Sequence, residues 1–138
     1  MFVTLVTPNV GVMKKHYLLF LSLLFSIASF AQAKDKASSS LKVGDAKSLV
    51  SVFNSNTDMT ILDQDDLFSK ADAEVILNNF FLKNKPTQFH IIHEGKSSSG
   101  EEFIIGSLET ENGNFRVSFY YKNVNGKELI QQLMIDNE

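Results

Sequence analysis

"SKADAEVILNNFFLKNKP", Ser69 to Pro86, decides how the rest of this chain is read. Ala73, Ile76, Leu77, Phe80 and Phe81 recur at the spacing of one helical face, with polar residues between them. Ser69 opens the run and Asp72 follows three residues later, a capping pair in which Asp replaces the usual Glu. Lys83 and Lys85 suit the negative end of the helix dipole. Pro86, which has no N–H to donate, stops it. The segment therefore predicts an amphipathic helix, and Phe80 and Phe81 need an apolar surface to cover them.

That surface lies downstream. From Gln88 onward the apolar period shortens to two, the mark of strands. Alternation and turn residues place strands over 88–94, 102–110, 114–122 and 127–136. "KSSSG" is a flexible first turn, Asn112-Gly113 signals a tight hairpin, and "NVNG" closes the last one. Upstream, "GDAKSLVSVFN" reads as a helical piece. Asp45 is its expected N-cap, and Ala46, Leu49, Val50 and Phe53 form its stripe. A Ser-rich helical piece precedes Gly44. "NSNTD" is a loop by composition, "MTIL" a short strand, "DQDD" a turn, and Leu67-Phe68 a brief extended piece. The order is two helices, two short strands and the long helix, then a four-stranded antiparallel meander. The fold class is α+β.

In strand 114–122, Phe115, Val117, Phe119 and Tyr121 point one way, toward the long helix. Arg116, Ser118 and Tyr120 point the other. The neighbouring strands alternate less sharply than a sheet with one wet face requires. Ile104, Leu108, Ile130 and Met134 are expected on the second face, with Arg116 and Tyr120 at their rim. An apolar patch rimmed by polar groups marks a contact surface, and a two-fold homodimer is the expected assembly.

The N-terminal region reads as an export leader. Lys14 and Lys15 precede an apolar run from Tyr17 to Ile27, and Ala31-Gln32-Ala33 fits the cleavage pattern. The run is shorter than the roughly 20 residues a spanning helix needs. Residues 1–33 are thus assigned to a signal peptide. Within it, residues 1–12 are an upstream extension that fits no leader and points to Met13 as the start. The domain proper covers 34–138, and the expected location is the periplasm or the extracellular space, with no stable membrane anchor after cleavage.

The full chain carries a formal charge of −3 and contains no cysteine. Disulfides, thiolate nucleophiles and Cys-ligated zinc are excluded. Arg116 is the sole arginine, so the clustered positive charge that nucleic acid requires is missing.

"GDAKSLVSVFN", "TILDQDDLFSKADAEVILNNFF", "NGNFRVSFYYK" and "ELIQQLMID" together resemble an uncharacterised family of small proteins secreted by Gram-negative bacteria. That family belongs to the nuclear-transport-factor-2-like superfamily, and the resemblance covers about Ser40 to Glu138. It implies a cystatin-like cone, with the long helix laid on a curved sheet. It also implies dimers formed through the open side of that sheet, and a pocket between helix and concave face. It implies no particular reaction.

The candidate sites are few. Asp63, after "MTIL", resembles the general-base position of ketosteroid isomerases in the superfamily, where a raised pKa lets a carboxylate move protons. The acidic partner and the Tyr that such a site needs are not identifiable. Asp63, Asp65 and Glu74 also fall at the first, third and last positions of an EF-hand loop. Leu67 and Phe68 stand where an oxygen ligand and a Gly are required, so no metal is expected. His90 and His93 are three apart on a strand, which predicts opposite faces and no shared metal. Gln131, Tyr121 and His93 are the candidate pocket-lining groups. The expected function is an exported, non-enzymatic binding module without cofactor, pairing with itself and taking a small molecule or protein partner. The alternative is a small pocket enzyme of isomerase or hydro-lyase type with Asp63 as base.

Overall fold

The computed structural model describes residues 33–138. The leader assignment, apart from Ala33, and the extension 1–12 lie outside the described residues. Helix α1 spans Ala33–Val43 and α2 Ala46–Val50. Strands β1 (Phe53–Ile61) and β2 (Gln64–Ser69) follow, then helix α3 (Lys70–Lys83). The chain closes with β3 (Pro86–Lys96), β4 (Glu102–Thr110), β5 (Gly113–Val124) and β6 (Lys127–Asn137). One six-stranded sheet has the order β2-β1-β6-β5-β4-β3. All its pairings are antiparallel except β1 with β6, which run parallel.

Local chemistry explains the helices. The Ser69 hydroxyl accepts the Asp72 N–H at 3.2 Å, and donates to the Asp72 carboxylate at 3.0 Å. This satisfies a donor that the first turn of α3 leaves free. Asp45 caps α2 by accepting the Ser48 N–H at 3.1 Å and the Ser48 hydroxyl at 2.7 Å. Those two bonds hold its carboxyl below the usual range. The serines of α1 bond back into their own helix, Ser38 to the Lys34 carbonyl and Ser40 to that of Lys36, both at 2.7 Å. A Ser-rich run is thereby kept helical. Gly44, at φ +71°, supplies the left-handed residue that ends α1.

The core lies between the helices and one face of the sheet. Leu41, Leu49, Leu77, Phe80 and Phe81 meet Phe53, Met59, Phe115, Val117, Phe119, Leu133 and Ile135, all buried. Helix α1 lies along β3, and α3 lies against β1 and β2.

The expected second face is corrected here. Ile104, Leu108 and Ile130 are 1%, 0% and 0% exposed and belong to the core. On β4, register decides the matter. Ile104 pairs with Phe119 and Leu108 with Phe115, so they share the core-facing side of β5. On β6 a bulge decides it. Tyr120 pairs with Gln132 but Tyr121 with Ile130, leaving Gln131 as the extra residue. The slip turns Ile130 to the same side as Leu133 and Ile135. The expected loop at Asn54 is a second irregularity. β1 pairs with β6 at Phe53 and again at Asp58, and the residues between are bulged. The expected turn "DQDD" is tighter than its composition suggests. The chain reverses at Leu62-Asp63, and β2 begins at Gln64.

Candidate functional site

Two surfaces carry most of the chemistry. The first is the outer face of the sheet. Phe103, Ile105, Ser118, Tyr120, Gln132 and Met134 lie there, each half-buried. His93 joins them through a bulge. Ile91 pairs with Gly106 but His93 with Ile105, so Ile92 is extra and His93 turns outward. The His93 ring lies 5.5 Å from that of Phe103, and Phe103 lies 5.8 Å from Tyr120. Phe103 also covers Gly95, where an added Cβ would stand 3.1 Å from the ring. An aromatic band thus crosses β3, β4 and β5. The same bulge corrects the histidine expectation. His90 pairs with Ser107 and His93 with Ile105, so both occupy the outer face. His90 Nε2 lies 3.6 Å from a Glu109 oxygen. Among the described residues, no group of three or more His, Asp or Glu side chains is placed to hold a metal.

The second surface is a cleft of about 520 Å³ at the end of the sheet where α1 begins, lined by Lys34, Glu94, Glu102, Phe103, Tyr121 and Glu128, among others. The Lys34 ammonium pairs with Glu94 at 2.5 Å. That hydrogen bond holds the lysine above its usual pKa. The Ala33 N–H donates to Glu128 Oε2 at 2.9 Å. Tyr121 is 6% exposed. Burial first, then the adjacent Glu102 carboxylate and the charges of Glu128 and Glu94, push its phenol well above the usual range. A smaller cavity of about 360 Å³ lies between α3 and the β1–β2 hairpin, with Ile61, Ile76 and Phe80 among its walls and Lys83 at its edge.

The sequence-derived candidates separate accordingly. Tyr121 lines the cleft. His93 does not; it belongs to the outer face. Gln131 acts as a clamp and lines neither of these two cavities. It accepts from Asn54 at 3.0 Å and donates to the Leu129 carbonyl at 3.1 Å, tying β1 across the β6 bulge. Asp63 is exposed in the β1–β2 turn and lines neither cavity. It lacks the apolar enclosure that would make it a base. Arg116, Tyr120 and Met134 stand on the outer face as expected. Sequence reading missed Glu94, Glu102 and Glu128, which lie on separate strands and converge only through register.

A family model matches residues 34–136, described as a domain of unknown function, DUF4783. The chain belongs to the DUF4783 family. A solved family member from Bacteroides fragilis is 33% identical, covering 75% of this chain and 96% of its own, with a TM-score of 0.69. One from Bacteroides ovatus is 31% identical over 75% and 93%, with a TM-score of 0.70. A domain of unknown function with a cystatin-like fold from Nostoc punctiforme shares the fold alone, at 9% identity, 77% and 73% coverage and a TM-score of 0.59. The DUF4783 chain thus has an α+β, cystatin-like fold. No curated protein matches it.

Proposed function

We propose that this DUF4783 protein is an exported, non-catalytic interaction module that pairs with a second copy through the outer face of its sheet. The carrying observation is the half-buried band of Phe103, Ile105, Tyr120 and Met134, flanked by the exposed His93, on the face opposite the helices. Aromatic residues and Met flanked by polar groups are the composition of an interface centre. The core face is filled by Phe80, Phe115, Phe119 and their neighbours, which favours binding at a surface over chemistry in a deep pocket.

The charges support a particular pairing. Asp58 and Asp65 lie on the outer face at the β1–β2 side, and His90 and His93 on the same face at the β3 side. A two-fold axis parallel to the strands sets the acidic flank of one copy over the histidine flank of the other. An axis across the strands sets acid over acid. The second sets Asp58 and Asp65 of one copy against those of the other, and that like-charge contact disfavours it.

Sedimentation equilibrium on the exported protein tests the proposal. The expected result is a mass twice that of the chain. A single-chain mass across the accessible concentration range contradicts it. The enzymatic alternative has no observation in its favour, because Asp63 projects from an exposed turn.

A further inference from the structure

Resting on the exported state proposed above, we infer that leader removal falls on the N-terminal side of Ala33, at the Ala31–Gln32 bond. Ala33 then stays in the mature chain as the first residue of α1, its N–H bonded to Glu128 of the cleft wall. The leader pattern Ala31-Gln32-Ala33 places the cut before Lys34, but Ser29-Phe30-Ala31 meets the same small-x-small requirement two residues earlier.

The folded domain uses Ala33 twice. Its side chain is 0% exposed and belongs to the common core. Its backbone N–H donates to Glu128 at 2.9 Å. A cut before Lys34 removes both contacts. It leaves Glu128 without that donor, and it makes Lys34 a fraying terminal residue although its side chain is the partner of Glu94.

Charge points the same way. In the hydrolysis, one water adds across the Ala31–Gln32 bond. The leader keeps the Ala31 carboxylate, and the mature chain gains an ammonium on Gln32. A positive charge at a helix N-terminus opposes the helix dipole. A cut before Lys34 puts that charge on a residue of α1 itself, which spans Ala33–Val43, whereas the earlier cut leaves that whole span without a terminal ammonium.

The test is to export the full chain from a Gram-negative host and measure the intact mass of the product. A chain beginning at Gln32, with or without loss of ammonia from that residue, is the expected result. A chain beginning at Lys34 overturns the inference and leaves the export reading standing. A chain that keeps its leader overturns the export reading itself. A second measurement compares the melting of chains beginning at Gln32 and at Lys34. The Gln32 form is expected to melt a few degrees higher, and Glu128→Gln is expected to lower it more than it lowers the Lys34 form. Equal melting of the two forms overturns the structural basis of the inference.

Discussion

Phe80 of α3 meets Phe115 of β5 edge-on, with ring centroids 5.0 Å apart and planes at 76°. This contact joins the long helix to the sheet, and both rings are about 6% exposed. Phe80→Ala is expected to cost about 3–5 kcal/mol, the usual range for emptying a buried ring site. In a double-mutant cycle with Phe115→Leu, urea unfolding should show a coupling of about 0.5–1.5 kcal/mol. Strict additivity would mean that the two rings do not pack as described.

Gly106 on β4 has no room for a side chain. An added Cβ would lie 2.5 Å from Phe89 Cζ and 2.7 Å from the His90 carbonyl oxygen. The carbonyl is part of the β3–β4 ladder and yields only if that pairing distorts. Gly106→Ala is therefore expected to destabilise by about 1–3 kcal/mol, the range for overpacking. The midpoint of chemical denaturation checks this, and an unchanged midpoint would contradict the close approach.

The two sides of the sheet should respond differently to charge. Ile104→Asp and Ile130→Asp bury a carboxylate in the core and are expected to prevent folding. Tyr120→Asp and Met134→Asp place it on the outer face. They are expected to leave the circular dichroism spectrum native while raising the dimer dissociation constant at least tenfold, equivalent to about 1.4 kcal/mol. Soluble, native dimers of all four variants would contradict the face assignment.

Stability should fall in alkali through Tyr121. Its ordinary value is 10.0 and its folded value is higher, because burial and then Glu102 disfavour the phenolate. The unfolded chain loses this proton first. The contribution is therefore fully present below about pH 10 and is lost as pH rises toward the folded value. Denaturation midpoints from pH 8 upward should fall in the wild type and fall less in Tyr121→Phe. Parallel curves would show that Tyr121 is not enclosed as described.

The elements of this fold were largely legible in the sequence, and the places where legibility failed share one cause. The 3.6-residue stripe of α3 and its Ser69 cap were readable because both signals are local. The inward set Phe115, Val117, Phe119 and Tyr121 was readable because β5 alternates cleanly. Ile104, Ile130 and His93 were misplaced because strand parity is non-local. Ile104 is assigned only by pairing with Phe119. Ile130 and His93 are turned by one-residue bulges at Gln131 and Ile92. The cleft was illegible for the same reason. Glu94, Glu102 and Glu128 come from β3, β4 and β6, and no spacing along the chain announces that they meet. The parallel contact of β1 with β6 spans most of the domain and leaves no local mark.

The most direct test of the proposed assembly uses the absence of cysteine from the chain. Ser118→Cys places a single thiol in the middle of the outer face, between Ile105 and Met134 on the neighbouring strands. A nitroxide attached there reports on a second copy by electron–electron dipolar coupling. Face-to-face pairing predicts a strong, short-range coupling at Ser118→Cys and a weaker one from a label at Ser99→Cys in the β3–β4 hairpin. No dipolar coupling at Ser118→Cys, in a protein that retains its native melting, would contradict the account.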